Sequence, residues 1–324
     1  MKKRINNFFR VTMLVIFSLF ISLISCEAIL RIKHSIIPNY DIEMWKYAKS
    51  LKVRSKNEKI GHTHRKNRSE ILQEVEIKTN NLGQRDVYID NEMLKNYNRS
   101  FLILGSSITL GWGVENSETL TNQLNKISNN NNNKWIFING GIGNYNTQRY
   151  VNNYLDNWSN LNITDLAIIF FVNDTEILKN KETSFLIEHS HFAVIIWKLL
   201  NSYKSKFQKE NIDNYYKKLY EDDYEGYLLA KDNLIKLKKH CDLKNINCHI
   251  INMPDIHQLS PYKLGFINEK IELLAKENNF KYFDLLGIFD GIDEKKIWNN
   301  YNDPHPNGYA HGLMARVIYD FFIN

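Results

Sequence analysis

From residue 100 onward the chain alternates short apolar runs with helical stretches, and this alternation restricts the fold more than any other feature. Ser100–Leu104, Trp135–Asn139, Leu166–Val172, His249–Met253 and Lys281–Leu285 read as strands. Between them lie helical patterns near 118–128, 147–158, 225–241 and 262–278, and a final one over about 309–322. Parallel neighbours in a sheet need a crossover connection of about a dozen residues or more, usually a helix. Strand–helix alternation at this spacing therefore predicts an α/β fold: a mostly parallel sheet with helices on both faces, a three-layer α/β/α sandwich.

The charge is not spread evenly. The 324 residues carry 42 Lys+Arg and 36 Asp+Glu, a net charge of +6. Residues 1–34 hold six cations (Lys2, Lys3, Arg4, Arg10, Arg31, Lys33) and one anion, Glu27, so the remaining body is nearly neutral. A basic patch for nucleic acid is thus not indicated. Apolar content of 43% and aromatic content of 13% suit a packed core and exclude wholesale disorder.

Val11 to Leu30 is apolar except for Glu27. Twenty residues at ~1.5 Å rise cover ~30 Å, the hydrocarbon thickness of a bilayer. Four cations precede the run and two follow, which predicts a cytoplasmic N-terminus and a body on the extracytoplasmic face. Signal-peptidase cleavage lacks a small-x-small site. Leu23-Ile24-Ser25-Cys26 resembles a lipobox, which would make Cys26 a lipidated N-terminus. An uncleaved transmembrane signal anchor is the reading adopted, because the apolar run continues past Cys26.

This organisation divides the chain into a cytoplasmic stub and signal anchor at 1–34, an N-terminal extension packing on the core at 35–98, and the α/β domain at 99–324. Residues 178–224 are too long for a simple connection and predict a helical cap insert or a membrane-facing element. Within them, the Phe192–Leu200 run reads as core of that cap. Asn81-Leu82-Gly83-Gln84-Arg85-Asp86 reads as a turn with Gly at a positive φ. Cys241 and Cys248 are either a disulfide permitted by an oxidising compartment or two buried thiols.

Ligands of open α/β sheets bind beyond the carboxyl ends of the strands, and three of these ends carry polar motifs. Leu104-Gly105-Ser106-Ser107-Ile108-Thr109 ends the first strand; a Ser on such a turn can attack a substrate while neighbouring N–H groups face a developing oxyanion. Asn139-Gly140-Gly141-Ile142-Gly143-Asn144 follows the second strand and allows close backbone approach. It lacks the G-x-G-x-x-G of dinucleotide sites, and the chain has no Gly-Lys-Ser/Thr phosphate loop. Asn173-Asp174 follows the third strand, and an Asn amide can donate to an oxyanion without any pKa shift. A fourth motif, Asn302-Asp303-Pro304-His305-Pro306-Asn307, precedes the last helix. Here a neutral imidazole can take a Ser proton, and a carboxylate can fix its tautomer.

These four motifs in this order resemble the SGNH (GDSL-type) hydrolase family over roughly residues 80–324, and the 81–86 stretch and the Glu27–Arg31 exit look like its membrane-anchored bacterial members. The resemblance implies a flavodoxin-like three-layer fold and serine esterase or acyl-transfer chemistry. It implies Ser107 as nucleophile, His305 as base, and an oxyanion hole from the Ser107 N–H, the Gly143/Asn144 backbone and Asn173. Three departures stand out. The usual Gly-Asp-Ser is Gly105-Ser106-Ser107. The second-motif glycine aligns with Asn144, beside Gly143; Asn tolerates a left-handed backbone. The residue three before His305 is Asn302, so Asp303, two before, is assigned the orienting carboxylate.

The expected substrate is an acylated carbohydrate, an O-acetyl group on a surface or exported polysaccharide, with polysaccharide-assembly proteins as possible partners. No cofactor or metal is expected. A lysophospholipase or thioesterase is an alternative within the class, and a non-catalytic glycan-binding or assembly protein is the rival outside it. His62/His64 and His189/His191 read as solvated loop histidines, Ser106, Trp112 and His311 as structural residues, and Asp174 as a cap or loop bond.

Overall fold

The computed structural model describes residues 2–180, 185–207, 212–301 and 303–323. The chain divides into two compact units, one of residues 1–49 with 181–209, the other of residues 50–180 with 210–324.

The first unit is helical. One helix runs over Lys2–Ile36, and its Asn7–Ile36 portion is long and apolar enough to cross a membrane. Three more helices, Tyr40–Ser50, Phe185–His189 and His191–Phe207, accompany it. Glu27 accepts from the backbone N–H groups of His191 and Phe192 and from Ser190 Oγ. The run from Phe192 to Leu200 does not form a closed core as expected: Leu199 and Leu200 are each 58% exposed. They lie on the outer side of a helix whose Trp197 meets Trp45 edge-on. Likewise His189 and His191 sit on helices rather than loops.

The second unit is built on a five-stranded, all-parallel sheet: β1 (Arg99–Gly105), β2 (Trp135–Gly141), β3 (Asp165–Phe171), β4 (Asn247–Met253) and β5 (Lys281–Asp284). The order is β2-β1-β3-β4-β5. Its helices include α1 (Ser107–Leu110), α2 (Leu120–Asn130), α3 (Thr147–Asn153), α4 (Glu225–Lys244), α5 (Gly265–Glu277) and α6 (Gly308–Ile323). Side chains alternate across each strand. Leu102, Leu104, Ile138, Leu166, Ile168 and Ile250 pack with α3, α4 and α5 on one face. Phe101, Ile103, Phe137, Ala167, Ile169 and Ile251 pack with α2 and α6 on the other. Burial on both faces explains why the strands read as unbroken apolar runs. The expected three-layer α/β architecture is therefore present, with every strand end within two residues of its predicted place.

The helix expected over 147–158 is α3 followed by a wider π turn over Tyr154–Trp158. Cys241 and Cys248 are free buried thiols, their sulfurs 3.2 Å apart. Three short antiparallel hairpins join Lys52–Arg54 to His62–His64, Ser69–Leu72 to Val75–Lys78, and Trp298–Asn300 to Asp303–Pro306.

Candidate active site

The carboxyl ends of β2, β1 and β3 are adjacent, so the three strand-end motifs form one edge of the sheet. β1 ends at Gly105, and Ser107 opens the single turn of α1. Gly111 ends that turn in a left-handed conformation (φ +75°), its N–H bonding back to Ser107 and Ile108, a closure that glycine adopts without steric cost. α1 lies hard against the end of β2: a Cβ on Gly141 would sit 2.1 Å from the Leu110 nitrogen. The Ile142 N–H then bonds to the Gly105 carbonyl at 3.2 Å, tying the second loop to the first. Asn144 takes φ +63°, a left-handed conformation that Asn tolerates. Two residues beyond the third strand, Asn173 is half-buried, with its Oδ1 buried and unpartnered. Asp174 makes a loop bond, accepting from the Phe171 N–H and the Tyr150 hydroxyl. Its carboxyl is pushed well above the usual range by burial.

The fourth motif is a hairpin strand. Residues i and i+2 of a strand share a side, and Asp303 and His305 do so here. His305 Nδ1 lies 2.5 Å from Asp303 Oδ1, and the His305 N–H also bonds to that carboxylate oxygen at 3.3 Å. Asn299 donates to the other oxygen at 3.3 Å. The hairpin is held by Trp298, whose indole N–H bonds to the Ile256 carbonyl. Asn307 caps α6 through the Ala310 N–H. Asp303 is 1% exposed, and burial alone would raise its pKa. Hydrogen bonds from His305 and Asn299 outweigh burial and hold the carboxyl below its ordinary value. It is thus ionised at neutral pH. An ionised Asp303 keeps the proton on Nδ1 and leaves Nε2 as acceptor. That Nε2 lies 2.8 Å from Ser107 Oγ. The structure therefore brings together Ser107, His305 and Asp303 in one hydrogen-bonded chain. Gly143, Asn144 and Asn173 lie on the loops flanking Ser107. Asn302 lies outside the described residues.

Ser106 is buried before α1, and Trp112 and His311 are packed in the interior. The histidines at 62 and 64 depart from expectation. His64 is buried, its Nδ1 on the Gly83 carbonyl, and His62 Nε2 lies 3.1 Å from the Gly143 carbonyl. Burial, with help from nearby cations, holds both imidazoles well below their usual range. The hairpin packs onto the domain, which the short sequence around it does not announce.

Several residues at the site were not singled out by sequence. Arg85, 1% exposed, donates to the carbonyls of Leu110, Gly111 and Val114 around the end of the turn that Ser107 opens, and to that of Glu76. Asp86 accepts from the Asn139 N–H at 3.0 Å, and burial raises its carboxyl to about 6. Both lie in the turn whose Gly83 has φ +80°. Their sequence signal is the 81–86 stretch itself, an Arg-Asp pair in a glycine-containing turn. Lys52 and Arg149, both on the second loop's carbonyls, leave none.

No protein-family model matches the chain, and no curated protein matches it. Among solved structures it is similar to the psychrotrophic esterase EstA from Pseudoalteromonas sp. (15% identity, 70% of this chain and 97% of that one, TM-score 0.44). It is also similar to a catalytic mutant of Axe2, an acetylxylan esterase from Geobacillus stearothermophilus (11%, 69% and 94%, TM-score 0.45). A third is the lipase/acylhydrolase from Enterococcus faecalis (12%, 68% and 94%, TM-score 0.43). At such identities these likenesses add nothing to the assignment of single side chains.

Proposed function

We propose that the protein is a serine carboxylic-ester hydrolase or O-acyltransferase of the SGNH type. The observation that carries this reading is the chain of contacts Ser107 Oγ–His305 Nε2–His305 Nδ1–Asp303 Oδ1, at 2.8 and 2.5 Å. Ser107 attacks an acyl carbonyl as His305 Nε2 removes its proton. Asp303 holds the tautomer and stabilises the imidazolium. The carbonyl oxygen becomes an oxyanion facing the Ser107 N–H, the Asn144 N–H and the Asn173 amide. Collapse of the tetrahedral intermediate expels the alkoxide, which takes the proton back from His305. Water or a second alcohol then attacks the acyl-serine by the reverse steps, giving hydrolysis or transfer.

The same reading places the body on the extracytoplasmic face, held by the Asn7–Ile36 helix, and takes O-acetyl groups of a surface or exported polysaccharide as substrate. Support comes from the apolar length of that helix and the cations around it. The full chain purified in detergent should release acetate from acetylated polysaccharide at a rate that Ser107→Ala abolishes. Acetate release that survives Ser107→Ala, or turnover of p-nitrophenyl acetate with none of any acetylated glycan, would reject the respective half of the reading.

A further inference from the structure

We infer that Lys52 and His62, from the hairpin before the α/β domain, are positioning residues that aim an oxyanion-hole N–H. The inference rests on the active-site reading above and concerns residues outside the triad. A trans peptide is planar, and its C=O and N–H point in opposite directions. Fixing the Gly143 carbonyl therefore fixes the direction of the Asn144 N–H. The Gly143 oxygen is held by two donors, Lys52 Nζ at 2.8 Å and His62 Nε2 at 3.1 Å, one for each lone pair. The next carbonyl, of Asn144, accepts from Arg149 Nη1 at 3.0 Å. Two successive carbonyls are thus turned toward cationic or N–H side chains, and the intervening N–H is turned away from them.

The brace is itself braced. Arg149 also donates to Asn180 Oδ1 at 2.9 Å and to the Leu178 carbonyl. The Tyr145 hydroxyl donates to the His62 carbonyl, and the two rings pack with centroids 5.1 Å apart. A carbonyl oxygen can only accept, so the neutral His62 carries its proton on Nε2, and burial with the Arg149 charge lowers Lys52 to about 7. An ammonium so desolvated is costly to place, and what it touches is the turn after β2. A left-handed conformation at the non-glycine residue Asn144 persists only where its surroundings hold it, and the two donors on the Gly143 oxygen do so.

The test compares Lys52→Met and His62→Phe, which remove one donor each while keeping the bulk, in the full chain. The readouts are p-nitrophenyl acetate kinetics and inhibition by phenylboronic acid, which forms a tetrahedral adduct on a catalytic serine. Each variant should lose roughly 10-fold in kcat with KM within about twofold. The pair together should approach the ~10²–10³-fold loss of a whole oxyanion donor. Boronate affinity should fall by the same factor as kcat/KM, which a loss of stability alone would not produce. Unchanged kcat and boronate affinity in folded Lys52→Met, or in His62→Phe should the first not fold, would overturn the inference and leave the triad standing. Absence of Ser107-dependent turnover in the wild type would overturn the active-site reading and this inference with it.

Discussion

Two aspartate–histidine pairs lie at opposite ends of one sheet, and they differ in what surrounds the imidazole. At the carboxyl end, Asp303 accepts from His305, whose other nitrogen meets the Ser107 hydroxyl. At the amino end, Asp165 accepts from His249 Nε2 at 3.1 Å, but also from Arg99 Nε and Nη2 and from Thr164. His249 is fully enclosed, edge-on to Phe321 and Phe322, and its Nδ1 faces no partner. Burial outweighs the Asp165 charge and lowers its pKa, so it stays neutral. An acid–imidazole pair is therefore not a site by itself. It becomes one when the second nitrogen meets a hydroxyl on a turn that substrate can reach, and it becomes a rivet when arginine and aromatic rings close it.

Variants of the two pairs should separate these roles. Ser107→Ala should lower ester turnover by about 10⁶-fold without lowering thermal stability. Asp303→Asn, which presents the wrong tautomer to Ser107, should cost about 10⁴-fold in kcat in a folded enzyme. Asp165→Ala should do the reverse: a loss of ~1–3 kcal/mol in denaturant unfolding, because Arg99, His249 and Thr164 lose their shared acceptor, with unchanged turnover per folded molecule. Equal catalytic losses at Asp165 and Asp303 would break the comparison. Asn173→Ala should cost ~10²–10³-fold in kcat, with little effect on stability.

The smallest effect is in pH dependence. Burial would raise the Asp165 carboxyl, but hydrogen bonds from His249, Arg99 and Thr164 hold it at about 2. A carboxyl depressed in the folded state adds stability above its unfolded value near 4 and loses it as pH falls toward 2. Acid titration of unfolding should show that decline in the wild type, and Asp165→Asn should flatten it.

The fold could be read from sequence because parallel strands buried on both faces leave unbroken apolar runs, and because their crossovers are helices. The three side chains that meet in the proposed triad could be singled out because they sit on a strand end and a proline-flanked strand, where type and order carry the information. Asp303 reaches His305 from two residues before it because both lie on one side of an extended strand. What escaped was tertiary. His62 and His64 looked solvated because nothing local shows that their hairpin packs on the second loop. Arg85 looked like part of a turn, although its guanidinium clamps three carbonyls around the end of the turn that Ser107 opens. The Phe192–Leu200 run looked like core because apolar composition does not say which face meets a partner.

The most direct test of the account is covalent trapping. The full chain is treated with a fluorophosphonate, digested, and the modified peptide sequenced by mass spectrometry. The account predicts one adduct per molecule, on Ser107, formed far more slowly in His305→Ala and not at all in Ser107→Ala. No adduct, an adduct on another residue, or labelling indifferent to His305 would contradict it.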